Sequence, residues 1–143
     1  MSGVSVRPVK ADDCAVLANL VTQLGYPADI ADMRRRYEEL SGNGHGTALV
    51  AEYRGAACGM AGVDIHRVWH RDEPVGHISS LVVDETVRGE GVGAVLLNAA
   101  EHWLRERGVH HVTLTSASRR TEAHRFYLNH SYSLTGQRFA KML

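Results

Sequence analysis

The segment that most limits how this chain can fold is Arg88-Gly89-Glu90-Gly91-Val92-Gly93. It lies between a valine-rich stretch ending at Val83 and an amphipathic stretch beginning at Gly91. A strand, a short loop and a glycine-rich entry to a helix make a place to bind an anion. The first amides of a helix have no internal partner, and the helix dipole adds partial positive charge there. Glycines at 89, 91 and 93 remove side chains, so a phosphate can approach the backbone closely, and Arg88 can add a charged fork. A tight turn that needs glycine only for its geometry is the plainer account. The arginine, the helix mouth and the strand before it together favour the anion.

The rest of the chain supplies elements for a mixed sheet. Val4 to Arg7 is a short β-prone run ended by Pro8. Asp12 or Asp13 can cap a helix with Leu17, Leu20, Val21 and Leu24 on its apolar face, stopped by Gly25. Pro27 and Asp29 restart a helix with Ile30, Met33, Tyr37 and Leu40 on one face. Thr47 to Tyr53 and Ala56 to Ile65 read as strands joined in a hairpin at Arg54-Gly55, and Val75 to Val83 as a further strand. The helix from Gly91 to Arg107 carries a stripe of Val92, Val95, Leu96, Ala99 and Trp103. His111 to Thr115 follows as a strand, and Thr121 can cap a helix running to about Asn129. Tyr132 to Leu134 and Arg138 to Met142 complete the reading as terminal strands. The order β-α-α-β-β-β-α-β-α-β-β predicts one α/β domain over residues 1–143, with helices on the faces of a mixed sheet.

Composition excludes several classes. A formal net charge of +0 gives no general attraction to nucleic acid or an anionic membrane. No stretch approaches a membrane-spanning length, and Met1 to Lys10 has no signal-type apolar run, so a cytoplasmic location is expected by default. Cys14 and Cys58 make no disulfide framework or zinc spacing and read as small core residues.

The chain's layout narrows the anion. Gly89 to Ala94 also fits a loose dinucleotide pattern, but too little chain follows for the second half of a doubly wound sheet. The next strand ends in Thr115-Ser116 rather than an acidic residue for ribose, and no Gly-Lys-Ser/Thr of a P-loop is present. R-x-x-G-x-G after Leu81-Val82-Val83 resembles the acetyl-CoA-binding motif of the GNAT N-acetyltransferases. Ala123-His124-Arg125-Phe126-Tyr127-Leu128-Asn129-His130-Ser131-Tyr132 resembles that family's A-x-x-F-Y-x-x-x-G-F/Y segment. Within the family, the run Thr121 to Tyr127 and the ending Gly136-Gln137-Arg138-Phe139 are most similar to small bacterial amine acetyltransferases, the aminoalkylphosphonate type among them. The chain departs from the family at Ser131, usually glycine, and at Arg120, often asparagine.

The resemblance implies the GNAT fold and acetyl-CoA as acyl-donor cosubstrate. It sets the pyrophosphate on Arg88, Gly89, Gly91, Val92, Gly93 and Ala94, and gives the backbone N–H groups of Leu81 and Val83 to the acetyl carbonyl and the pantetheine amides. It gives Tyr127 to the CoA sulfur as a general acid, with Phe126 filling the structural place. The base is expected on the strand before the turn. Alternation puts His77, Ser79 and Leu81 on one face, and the imidazole of His77 can take the amine proton. A hydrogen-bonded strand histidine is the competing account, and Asp72 and Glu73 are alternatives in the neighbouring loop. His66-x-x-x-His70 has a metal-like spacing but no helix to align it. The two are read as solvated loop histidines, no metal set is assigned, and metal dependence stays open. The partner is expected to be a small-molecule amine rather than nucleic acid or membrane, and a homodimer is open. Family geometry builds the acceptor site from Leu24 to Leu40, His66 to Pro74 and Ser133 to Phe139, which mix arginines with acids. The alternative reading is a non-catalytic acyl-CoA-binding or regulatory module.

Overall fold

The computed structural model describes residues 3–143. These fall into two compact units, one ending at Thr113 and the other running from Leu114 to Leu143. The first holds β1 (Val4–Pro8), α1 (Cys14–Leu24), α2 (Ile30–Leu40), β2 (Gly46–Tyr53), β3 (Ala56–His66), β4 (Val75–Val83) and α3 (Val92–Arg105). β5 (Val112–Leu114) lies at the junction, and the second unit carries α4 (Thr121–Asn129). No helix among the described residues is long and apolar enough to cross a membrane.

The sheet order is β1-β2-β3-β4-β5, and β1 to β4 pair antiparallel in sequence. Arg54 and Gly55 both take positive φ, 55° and 80°, which gives the β2–β3 hairpin its tight turn. On one face of the sheet, Leu17, Leu20 and Val21 of α1 and Met33 of α2 pack with Val50, Met60 and Val82. On the other face lies α3. A Cβ on Gly76 would stand 2.8 Å from Leu104 Cδ1 and 3.0 Å from Val109 Cγ1, so glycine there lets the helix close on β4. The buried row of α3 is Val92, Leu96, Leu97, Ala100 and Leu104, not the expected Val92, Val95, Leu96, Ala99 and Trp103. The helix is rotated so that Trp103 flanks the core, with the Arg107 guanidinium 3.9 Å over its ring.

Three other expectations change. Asp13 precedes α1 but makes no side-chain cap. Its carboxylate instead takes a two-pronged pair from Arg7, both contacts at 2.8 Å, and accepts from Lys10 N–H at 2.7 Å. A strand arginine within reach competes better for the buried charge than a neutral helix amide does. Arg120, not Thr121, is the residue before α4, and it offers no side-chain cap. Beyond α4, no strand follows among the described residues. Leu134 and Phe139 are exposed, and a strand without a ladder partner or a face to bury is not stable on its own.

The Arg7–Asp13 pair clamps β1 to the start of α1. The hydrogen bond from Arg7 holds the Asp13 carboxyl below its ordinary value of 3.8, against the upward push of burial. A depressed pKa contributes stability that is complete above the unfolded value and lost as pH falls through the folded one. Asp13→Asn should therefore cost about 2–4 kcal/mol near neutrality. In urea unfolding, the gap to the parent should close as pH falls below about 3.8; a gap that persists in acid would contradict the assignment.

Candidate active site

β4 feeds the glycine turn directly. Asp84 N–H donates to Cys58 O at 2.7 Å, and Asp84 Oδ1 accepts from Thr86 N–H and Oγ1 at 2.9 and 2.8 Å. Gln23 of α1 accepts from Glu85 N–H at 2.9 Å, which ties the loop to the first helix. Arg88 turns back, its Nε donating to Val83 O at 3.0 Å. This fixes the guanidinium at the strand end. Gly89 and Gly91 have φ of +86° and +83°, a region that favours glycine.

Gly91 is the residue before α3, and no side chain caps that helix. Its opening amides are thus left for another acceptor. Val92 is 1% exposed, so it anchors the helix in the core. Gly93 and Ala94 are half-buried on the following turn. Leu81 and Val83 lie opposite Ala61 and Gly59 of β3. On its other side, β4 meets a β5 of only three residues, and Gly76 N–H donates to His111 O at 2.8 Å at the start of β4. Three residues cannot pair the whole of a nine-residue strand.

The β3–β4 register shifts between Gly62 and Val63, whose partners are Ser80 and Ile78, so Ser79 is an extra residue in β4. Such a bulge reverses the alternation beyond it. His77 therefore shares a face with Asp64 and Val82, while Leu81 shares the α3 face with Ile78. The expected common face of His77, Ser79 and Leu81 is broken, although the backbone positions of Leu81 and Val83 are unaffected.

Asp64 is the direct cross-strand partner of His77. His66, two residues along β3, falls on the same face. Asp64 Oδ1 stands 2.7 Å from His66 Nε2 and 3.7 Å from His77 Nδ1. One donor atom from each of the three residues can be chosen with all lying within 4.8 Å of one another. His66 and His77 border an open cavity of about 400 Å³ whose polar lining also includes His70, Arg71, His111 and Thr113. Sequence reading set His66 and His70 aside as solvated loop histidines, and named Asp64 only among the acids of the acceptor region. Asp64 and His77 meet only through the strand register, and the one local signal was the i, i+2 step from Asp64 to His66. Asp72 and Glu73 are exposed in the loop and do not line the cavity.

In the second unit, α4 carries Tyr127. Tyr127 is buried at 8% exposure, while Phe126 is half-buried beside His130, with ring centroids 4.3 Å apart. The expected division of labour is thus reversed: Tyr127 is the buried ring of the pair. Burial pushes its phenol above the ordinary value of 10.0, opposed by the nearby Arg120. The hydroxyl is accordingly protonated across the neutral range. The departure at Arg120 puts a cation where it acts on this phenol.

The end of α4 is a Schellman closure. Tyr132 N–H donates to Tyr127 O at 3.1 Å and Ser131 N–H to Leu128 O at 3.3 Å. The rings of Tyr127 and Tyr132 meet edge-on at 6.0 Å. Ser131 takes φ of +71°, so the left-handed turn survives the loss of the usual glycine, with a serine held in it.

The first unit is thus a sheet with helices on both faces and a glycine-rich helix mouth, uncapped by any side chain, at the end of β4. Residues 15–132 match the family model described as "Acetyltransferase (GNAT) family", and the chain belongs to that family. It is 35% identical over 89 residues to the aminoalkylphosphonate N-acetyltransferase of Salmonella typhimurium, covering 62% of this chain and 58% of that protein. It is 38% identical over 73 residues to an uncharacterised N-acetyltransferase of Bacillus subtilis, covering 50% of this chain and 48% of that protein. The matched stretches thus span about half the length of these curated relatives. In fold it is similar to an aminoglycoside N-acetyltransferase solved in complex with CoA, with a TM-score of 0.85 and 19% identity over 98% of this chain and 94% of that one.

The strain at Ser131 makes a simple prediction. Ser131→Gly should stabilise the closure of α4 by roughly 0.5–1 kcal/mol, the left-handed penalty less the entropy glycine adds to the unfolded chain. Hydrogen exchange at the Tyr132 amide should slow; faster exchange would show that the serine is favourable where it stands.

Proposed function

We propose that this protein is an acetyl-CoA-dependent N-acetyltransferase for a small primary amine. The observation that carries the reading is the uncapped start of α3, opened by Gly91 and flanked by Arg88 fixed on Val83 O. The CoA pyrophosphate sits on the amides from Gly89 to Ala94 with Arg88 beside it. The pantetheine arm runs along the end of β4, using the N–H groups of Leu81 and Val83. These are backbone roles, so they do not depend on which face the bulge gives each side chain.

The chemistry needs the amine and the thioester in contact, and proximity alone contributes about 7–11 kcal/mol in the best intramolecular cases. The ammonium first gives a proton to His77. The amine nitrogen then attacks the acetyl carbon, and a backbone N–H of β4 stabilises the oxyanion. The nitrogen of the tetrahedral adduct sheds its second proton to solvent, collapse breaks the C–S bond, and Tyr127, held protonated by burial, gives its proton to the departing thiolate and is reprotonated from solvent. The imidazolium formed at His77 stands at ion-pair distance from Asp64. The acceptor class is supported by the cavity beside His77, whose arginine and histidines suit an amine that also bears an anionic group. The aminoalkylphosphonate relative is named for such a substrate.

The test is thiol release from acetyl-CoA against a panel of amines, aminoalkylphosphonates among them. Amine-dependent release is expected. Tight CoA binding with no turnover on any amine would favour the non-catalytic module instead. Tyr127→Phe should lower kcat by about 10²-fold or more with acetyl-CoA binding retained, and His77→Gln should lower kcat by a similar factor. Full turnover in either variant, at saturating substrates, removes that residue from the mechanism.

A further inference from the structure

We propose that Asp64, His66 and His77 form a binding site for one late first-row divalent cation of the Zn²⁺ class. The proposal goes beyond the transferase reading and does not depend on it. It rests on how the three donor atoms meet. Asp64 Oδ1 is buried, 2.7 Å from His66 Nε2, yet accepts no hydrogen bond among the described residues. At that distance the pair fails as a hydrogen bond because the ring N–H does not aim at the oxygen. The N–H and the lone pair of a ring nitrogen share one axis, so the lone pair passes the oxygen by as well. Two donor atoms held this close without pairing to each other can both serve a third centre between them.

The spacing agrees. Ligand atoms about 2.0–2.1 Å from one ion stand roughly 3.3–3.4 Å apart at a tetrahedral angle. The two separations from Asp64, 2.7 and 3.7 Å, bracket that value, and all three donors lie within 4.8 Å of one another, so side-chain rotations bring the group to it. The frame is rigid where it matters: Asp64 and His77 are register partners inside an antiparallel ladder. The donor set, two imidazole nitrogens and one carboxylate oxygen, suits Zn²⁺, Co²⁺ or Ni²⁺ and not the all-oxygen preference of Mg²⁺ or Ca²⁺. Three protein ligands leave a coordination position on the side of the cavity lined by His70 and His111. A cation there takes the lone pair that His77 would use as a base, so metal occupancy and the base role exclude each other.

The experiment uses the full chain stripped with chelator, titrated with Zn²⁺ by calorimetry and with Co²⁺ by visible absorption, without acyl donor. One equivalent should bind, and Co²⁺ should develop the d–d bands of a four- or five-coordinate nitrogen–oxygen site. Asp64→Asn, His66→Ala and His77→Gln should each weaken binding by tenfold or more, while His70→Ala retains one equivalent. An excess of Mg²⁺ should not compete. Absence of a bound equivalent, or one that survives all three substitutions, overturns the proposal and makes the histidines a scattered surface set. Should a variant fail to fold, the Co²⁺ bands of the parent still decide: octahedral aquo-type bands count against the site. Thiol release is measured separately, so failure of the transferase reading leaves this result intact.

Discussion

The antiparallel register of β3 on β4 is the constraint on which the first unit's site depends. It sets Asp64 against His77 and brings His66 to the same face. Its single bulge at Ser79 then turns the sheet's alternation over, so the histidine end of β4 and the Leu81 end present opposite faces. The same strand carries Gly76, whose missing side chain lets Leu104 and Val109 close on it. That close packing seats α3 on the sheet, and the seated helix presents its open N-terminus just beyond Val83. A slip of one residue would scatter the acid and the histidine and send buried side chains to the wrong face.

Much of this was legible from sequence because it is local. The limits of β4 and α4 followed from strand-prone composition and from the turn residues around them. The Arg54-Gly55 hairpin followed from its turn chemistry, and the glycine-rich helix entry from the change of period at Gly91. What was not legible depends on tertiary partners. A bulge adds one residue without altering composition, so Leu81 was put on the His77 face. The α3 stripe was displaced because Leu104, rather than Trp103, fills the space over Gly76. Asp13 looked like a helix cap, and only the fold showed that Arg7 reaches it. Asp64 and His77 belong to different strands, so no local spacing could join them.

The second unit shows how a sequence departure is absorbed. Serine replaces glycine at 131, yet the closure bonds of α4 hold and force a positive φ on it. The closure places Tyr132 against Tyr127, and burial keeps that phenol protonated, the state a general acid needs. The cost is local strain of about 1–2 kcal/mol in a region otherwise ending in exposed chain.

The central claim is that the amides at the mouth of α3 and the end of β4 hold the acyl donor. Backbone roles are invisible to side-chain substitution and visible to amide resonances. Titrating ¹⁵N-labelled protein with CoA tests them directly. The account predicts the largest shifts at the amides of Leu81, Val83, Gly89, Gly91, Val92, Gly93 and Ala94. Saturation of binding with those amides unmoved, and shifts gathered elsewhere, would contradict it.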